Sequence, residues 1–134
     1  MCGLVKKKVI FAVVIILILS LVGDTVYYIN DYYKAENSTD FDGIILLASY
    51  STADLSGSEL DVLSIYGSND GVLNMEKYEE CKQNLPENFK EFVITGGCHA
   101  YFGAYGEKAG DKKVTITRDE QIEITVDEIM NFIK

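Results

Sequence analysis

A chain of 134 residues with 21 acidic and 12 basic side chains, formal net charge −9, holds one domain at most. All 21 acids follow Gly23 while three of the basic residues precede it, so the body is strongly negative, which argues against a basic patch for nucleic acid or anionic lipid. The three cysteines, Cys2, Cys81 and Cys98, are odd in number and contain no Cys-x-x-Cys pair. That excludes a zinc ribbon, a dithiol redox motif and a disulfide scaffold; no metal site and no cofactor is expected.

Residues 9–22, VIFAVVIILILSLV, are uncharged and follow Lys6, Lys7 and Lys8. Lysines followed by an apolar run have the layout of a signal peptide or signal anchor. Extending the run through Tyr27 and Tyr28 brings it toward the length of a membrane-spanning helix, with tyrosines at the interface. No clean small-x-small cleavage site is visible, which favours an uncleaved anchor over a cleaved signal. The lysines then stay cytoplasmic and the body faces outward, a single-pass protein of the cell membrane. Residues 1–30 are thus the anchor, residues 31–40 a polar and aromatic stalk or a junction, and residues 41–134 the body.

Within the body, residues 41–49 (FDGIILLAS) form a compact apolar run without alternation, as for a strand buried on both faces. A loop rich in serine, glycine and aspartate follows over residues 50–59. A second strand is expected over residues 62–66, ending in Gly67-Ser68-Asn69-Asp70-Gly71. Asn74 is then an N-cap, Tyr78, Cys81 and Leu85 recur at helical spacing, and Pro86 stops the helix. A third strand, residues 91–95, leads into Gly96-Gly97-Cys98-His99-Ala100, which holds the chain's single histidine. Residues 101–113 show no periodicity and read as a mobile loop. Thr117 and Glu120 form a capping box for a closing helix with Ile122, Val126, Ile129 and Ile133 on one face.

Strand, loop, helix, strand and loop in that order put Asp70 and His99 at one edge of a parallel sheet, where α/β proteins keep their chemistry. Asn-Asp-Gly forms tight turns whatever the function, and a single histidine is often structural. The pairing is more informative than either residue. An acid bound to Nδ1 of an imidazole leaves Nε2 free as base for a nucleophile. Cys98 adjoins His99, but neighbours in sequence usually point apart, and it reads as a small loop residue. Cys81 reads as a buried hydrophobe on a helix face.

From Phe41 onward the chain resembles the C-terminal half of an alpha/beta-hydrolase family protein of the small, membrane-anchored, esterase-like kind. Phe41-Asp42-Gly43-Ile44-Ile45-Leu46-Leu47-Ala48 is similar to the strand that follows the nucleophile-bearing strand and its helix. Ile65-Tyr66-Gly67-Ser68-Asn69-Asp70-Gly71-Val72 resembles the strand end with the catalytic acid, and Gly96-Gly97-Cys98-His99-Ala100 the catalytic-histidine loop. The anchor and Asp31-Tyr32-Tyr33-Lys34-Ala35 also look like the start of such proteins. The resemblance implies a partial alpha/beta-hydrolase fold of about three parallel strands with two covering helices, beside the N-terminal transmembrane helix. It implies hydrolysis of a small ester or acyl substrate, with Asp70 and His99 as catalytic acid and base.

The family's Gly-x-Ser-x-Gly nucleophile elbow, which precedes the acid, has no counterpart here. Ser49 and Ser51 are the serines nearest the right sheet edge, and neither lies in that pentapeptide. The first strands and the oxyanion loop of the family are missing between about residues 35 and 41. Such a loss leaves the strand at residues 41–49 as a bare edge open to self-association. Two readings follow: a hydrolase-family protein that retains acid and histidine without a nucleophile, or a non-catalytic membrane-anchored module or truncated remnant.

Overall fold

The computed structural model describes residues 42–103, 106 and 108–134. The anchor and stalk, residues 1–40, lie outside the described residues. Among the described residues no helix is long and apolar enough to cross a membrane.

Three strands, β1 (Gly43–Leu47), β2 (Asp61–Gly67) and β3 (Lys90–Ile94), form one sheet in the order β1-β2-β3, all parallel. The registers run from Gly43 opposite Asp61 to Leu47 opposite Ile65, and from Leu63 opposite Lys90 to Gly67 opposite Ile94. All three strands therefore present their carboxyl ends at one edge. Among the described residues β1 pairs only with β2.

Side chains alternate between two faces, and each face has its own core. On one, Leu46, Val62 and Ile44 pack with Ala53, Leu55, Leu60, Leu85 and Phe89. The crossover between β1 and β2 has no helix. It covers this face itself, pinned where Leu55 N–H donates to the Asn84 carbonyl at 2.6 Å and Asn84 Nδ2 to the Ser51 carbonyl at 3.0 Å. On the other face Leu63, Ile65 and Ile94 pack with Ile45, Leu47 and Phe92 from the sheet. Ile116, Ile124, Ile129 and Phe132 cover them from the C-terminal segment.

Helix α1 (Met75–Cys81) starts where expected: Asn74 caps it by accepting from Lys77 N–H at 3.0 Å. It ends sooner, passing into a 3₁₀ turn, Lys82–Asn84, before Pro86. Tyr78 is its buried residue. Its hydroxyl lies 2.8 Å from Ser64 Oγ and 2.9 Å from Glu91 Oε2, and Lys82 Nζ stands 2.8 Å from the same Glu91 oxygen. Burial, opposed in part by the Ser64 bond and supported by the nearby Glu91 charge, pushes the Tyr78 phenol well above its ordinary value.

Helix α2 (Arg118–Phe132) begins with the expected capping box: Glu120 N–H donates to Thr117 Oγ1 at 3.2 Å and Thr117 N–H to Glu120 Oε2 at 2.6 Å. Of the face expected, Ile129 packs on the core, but the turns before it differ. Gln121 and Thr125 are buried, whereas Ile122 and Val126 are exposed, Val126 by half its surface. The reason is a polar demand of the neighbouring loop, met by the Gln121 amide.

Candidate functional site

Beyond β2 the chain turns through Gly67-Ser68-Asn69-Asp70-Gly71, with Asp70 N–H bonded to the Gly67 carbonyl at 3.1 Å. The Asp70 side chain is wholly buried and its two oxygens do different work. Oδ1 accepts from the Val72 and Leu73 N–H groups at 2.8 and 2.7 Å, which makes the turn. Oδ2 is 3.0 Å from Nδ1 of His99. The turn and the contact with His99 thus use different oxygens of Asp70.

His99 opens a 3₁₀ turn, His99–Phe102, after β3. The acid and histidine loops are joined along their backbones: Ser68 N–H donates to the Ile94 carbonyl at 2.9 Å and Asn69 N–H to the Gly97 carbonyl at 2.8 Å. Ser68 Oγ in turn accepts from Gly96 N–H at 2.8 Å. The approach is so close that a Cβ on Gly67 would overlap the Gly97 backbone. Because a carboxylate only accepts, the Asp70 contact places a proton on Nδ1, and in a neutral imidazole Nε2 then keeps its lone pair. The imidazole is 16% exposed, so its outer side reaches solvent.

Two residues essential to this geometry were not read from the sequence. Gln121, 0% exposed, accepts from Cys98 N–H through Oε1 at 2.9 Å and donates to the Cys98 carbonyl through Nε2 at 2.9 Å. Asp111 accepts from the N–H groups of Gly71 and His99 through Oδ1, at 3.2 and 3.0 Å, and from Ala100 N–H through Oδ2 at 3.0 Å. The segment around it, read as a mobile loop, is tied to the acid loop. Lys112 N–H donates to the Asn69 carbonyl at 2.9 Å and Asn69 Nδ2 to the Lys113 carbonyl at 2.7 Å. The available signals were a single glutamine in the first turn of the closing helix and a Gly-Asp pair after the histidine. Neither has a period or a spacing that betrays a backbone partner so far away in sequence.

Five of the described serines bond groups other than the imidazole. Ser51 Oγ bonds the Ala53 backbone, Ser56 Oγ bonds Asp54, and Ser58 Oγ bonds the Leu55 carbonyl. Ser64 meets Tyr78 and Ser68 meets Gly96. Ser49 follows Ala48, whose φ is +47°, at the carboxyl end of β1; its hydroxyl is buried with no hydrogen-bond partner among the described residues. The Cys98 thiol is buried, and desolvation, with the Asp111 charge in support, pushes it up and away from the reactive thiolate. Ser20 and Ser38 lie outside the described residues.

Neither a curated protein nor a solved structure matches the chain. A family model described as "Alpha/beta hydrolase family" matches residues 22–123, which takes in all three strands and both loops of the Asp70–His99 pair. With its parallel sheet and the helices after β2 and β3, the chain belongs to the alpha/beta hydrolase family.

Proposed function

We propose that this family member carries the acid–base relay of ester or acyl hydrolysis in Asp70 and His99, without a nucleophile of its own. In that chemistry Nε2 of His99 takes the proton of the attacking hydroxyl and later hands it to the leaving group. Asp70 holds the tautomer and stabilises the imidazolium that forms between the two transfers. The observation that carries the reading is the 3.0 Å Asp70–His99 contact, made by a buried carboxylate whose other oxygen is tied down by two backbone N–H groups. Support for the missing nucleophile comes from the hydroxyls of Ser51, Ser56, Ser58, Ser64 and Ser68, which bond groups other than the imidazole, and from the absence of Gly-x-Ser-x-Gly in the sequence.

In the same proposal, residues 1–30 hold the protein in the cell membrane as a single-pass anchor, residues 31–40 are a stalk, and the body stands outside the cytoplasm. The support is the uncharged run at residues 9–22 behind three lysines. A small ester or acyl compound is the substrate of the relay if a nucleophile is supplied. Self-association through the outer side of β1, which pairs with no strand among the described residues, is the partner interaction we propose. The same unpaired edge favours a second reading, a non-catalytic membrane-anchored module or truncated remnant.

A serine-directed fluorophosphonate probe separates the two. No labelling of the purified chain is the expected result. Labelling that His99→Ala abolishes would overturn the missing nucleophile and the non-catalytic reading together. Sequencing the DNA between the codons for Lys34 and Asp42 gives an independent check. An interrupted or missing block encoding Gly-x-Ser-x-Gly is expected there under the remnant reading.

A further inference from the structure

The 3₁₀ turn His99–Phe102 starts at Cys98 with no side-chain cap of its own. Its first N–H groups, those of His99 and Ala100, would be left without partners, as at any helical N-terminus. A carboxylate from 12 positions on in the chain supplies them: Asp111 accepts from both, at 3.0 Å each. The same carboxylate accepts from Gly71, the residue directly after Asp70. One side chain therefore grips the backbone beside the acid and the backbone of the histidine at once. Room for it depends on two glycines. A Cβ on Gly71 would overlap the Gly110 carbonyl oxygen, and Gly110 holds a φ of +112°.

From this we infer that Asp111 is a positioning residue for the Asp70–His99 pair: it fixes the two loops so that the imidazole meets Asp70 through Nδ1. The inference rests on the proposed relay for its functional meaning, but its geometry does not. A side-chain hydrogen bond between Asp70 and His99 leaves the imidazole free to turn about its own bonds and to lose the contact. Asp111 acts on the backbone instead: together with the Ser68–Ile94 and Asn69–Gly97 bonds it sets the Gly71 and His99 backbones at the separation that lets the Nδ1 contact form. Gln121 grips the neighbouring Cys98 from the other side, so the His99 peptide is held by side chains from both flanks. Two of the three bonds to Asp111 converge on one oxygen, and all three are charge-assisted, the strong class of hydrogen bond.

The test uses the full chain, isotope-labelled and kept in solution with a mild detergent, and reads the imidazole nitrogens and the backbone amides by NMR. In the wild type His99 is expected as the Nδ1–H tautomer with a downfield, hydrogen-bonded proton. The amides of Gly71, His99 and Ala100 should be protected from exchange together. Asp111→Asn keeps the shape but turns one acceptor into a donor facing an N–H. The downfield proton should be lost, and the three amides should exchange about ten- to a hundredfold faster, as expected for losing a charge-assisted bond. Gly71→Ala, which pushes the same tie apart from the other side, should give the same signature.

A folded Asp111→Asn with His99 and the three amides unchanged overturns the inference. If that variant does not fold, wild-type exchange decides: unprotected amides at Gly71, His99 and Ala100 overturn it, and joint protection supports it. Failure of the relay would look different. It would be read from Asp70→Asn leaving the His99 tautomer unaltered, whatever Asp111 does.

Discussion

Gln121 satisfies both backbone groups of Cys98, accepting from its N–H and donating to its carbonyl at 2.9 Å each, from a side chain with no exposed surface. A buried amide that serves one residue in both directions cannot be replaced by an apolar side chain of similar size. Gln121→Leu leaves two buried polar groups without partners, at about 1–3 kcal/mol for each. The urea midpoint is expected to fall accordingly. Gln121→Glu keeps the acceptor and loses the donor, so its midpoint should lie between those of Gln121→Leu and the wild type.

Asp70→Asn tests the division of labour between the two carboxylate oxygens. Asparagine can still accept from Val72 and Leu73 through Oδ1, preserving the turn. Its Nδ2 then offers a proton to Nδ1 of His99, so the ring proton should move to Nε2. The expected result is a folded protein with the imidazole tautomer reversed in its nitrogen shifts.

Glu120 makes the start of α2 sensitive to acid. Bonds from the Thr117 backbone N–H, then the Thr117 hydroxyl, hold its carboxyl below the ordinary value of 4.5. A group whose folded value is depressed stabilises the fold above its unfolded value and loses that contribution as pH falls through the folded one. Glu120→Gln should therefore be less stable than the wild type at pH 7, and the gap should close as pH falls through the depressed folded value, below the ordinary 4.5. Paired urea melts at neutral and acid pH check it. Thr117→Ala, which removes the cap oxygen itself, should cost about 1 kcal/mol.

At the alkaline end the relevant group is Tyr78. Its phenol is raised well above the ordinary 10.0, chiefly by burial. The sign is the reverse of the previous case: the stabilising contribution is complete below the unfolded value and is lost as pH rises through the folded one. Tyrosine absorbance should show a component from Tyr78 that ionises later than an ordinary phenol. That late component should be missing in Tyr78→Phe.

Ser49→Ala separates a structural serine from a reactive one. Its hydroxyl is buried with no partner among the described residues, a condition that costs about 1–3 kcal/mol relative to solvation. Removing it should raise the urea midpoint. Loss of fluorophosphonate labelling on this substitution would instead identify Ser49 as the nucleophile and overturn the proposal that the chain has none.

The strands and their two loops were legible because their signals are local. Apolar runs bounded by glycine mark β1, β2 and β3, the Asn-Asp-Gly turn marks the acid loop, and the Thr117–Glu120 box marks the start of α2. The family was legible from the same loops, through the residues around Asp70 and His99. Two things were not. The inward face of α2 was misassigned in the turns before Ile129 because apolar periodicity points to Ile122 and Val126, while the unmet backbone of Cys98 turns Gln121 inward. Asp111 was passed over because nothing in its immediate sequence shows which distant N–H groups it serves.

Ala48 carries a cost of a different kind. With φ at +47° it sits in left-handed backbone that a residue with a Cβ enters at about 1–2 kcal/mol, although it is neither glycine nor asparagine. Its N–H still reaches the Ile65 carbonyl at 2.8 Å, so the contortion lies within the last bond of the β1–β2 ladder rather than beyond it. The sheet thus stores conformational strain at its carboxyl edge, immediately before the inward-turned Ser49. The end of β1 is a strained bend, held in place by the rest of the fold.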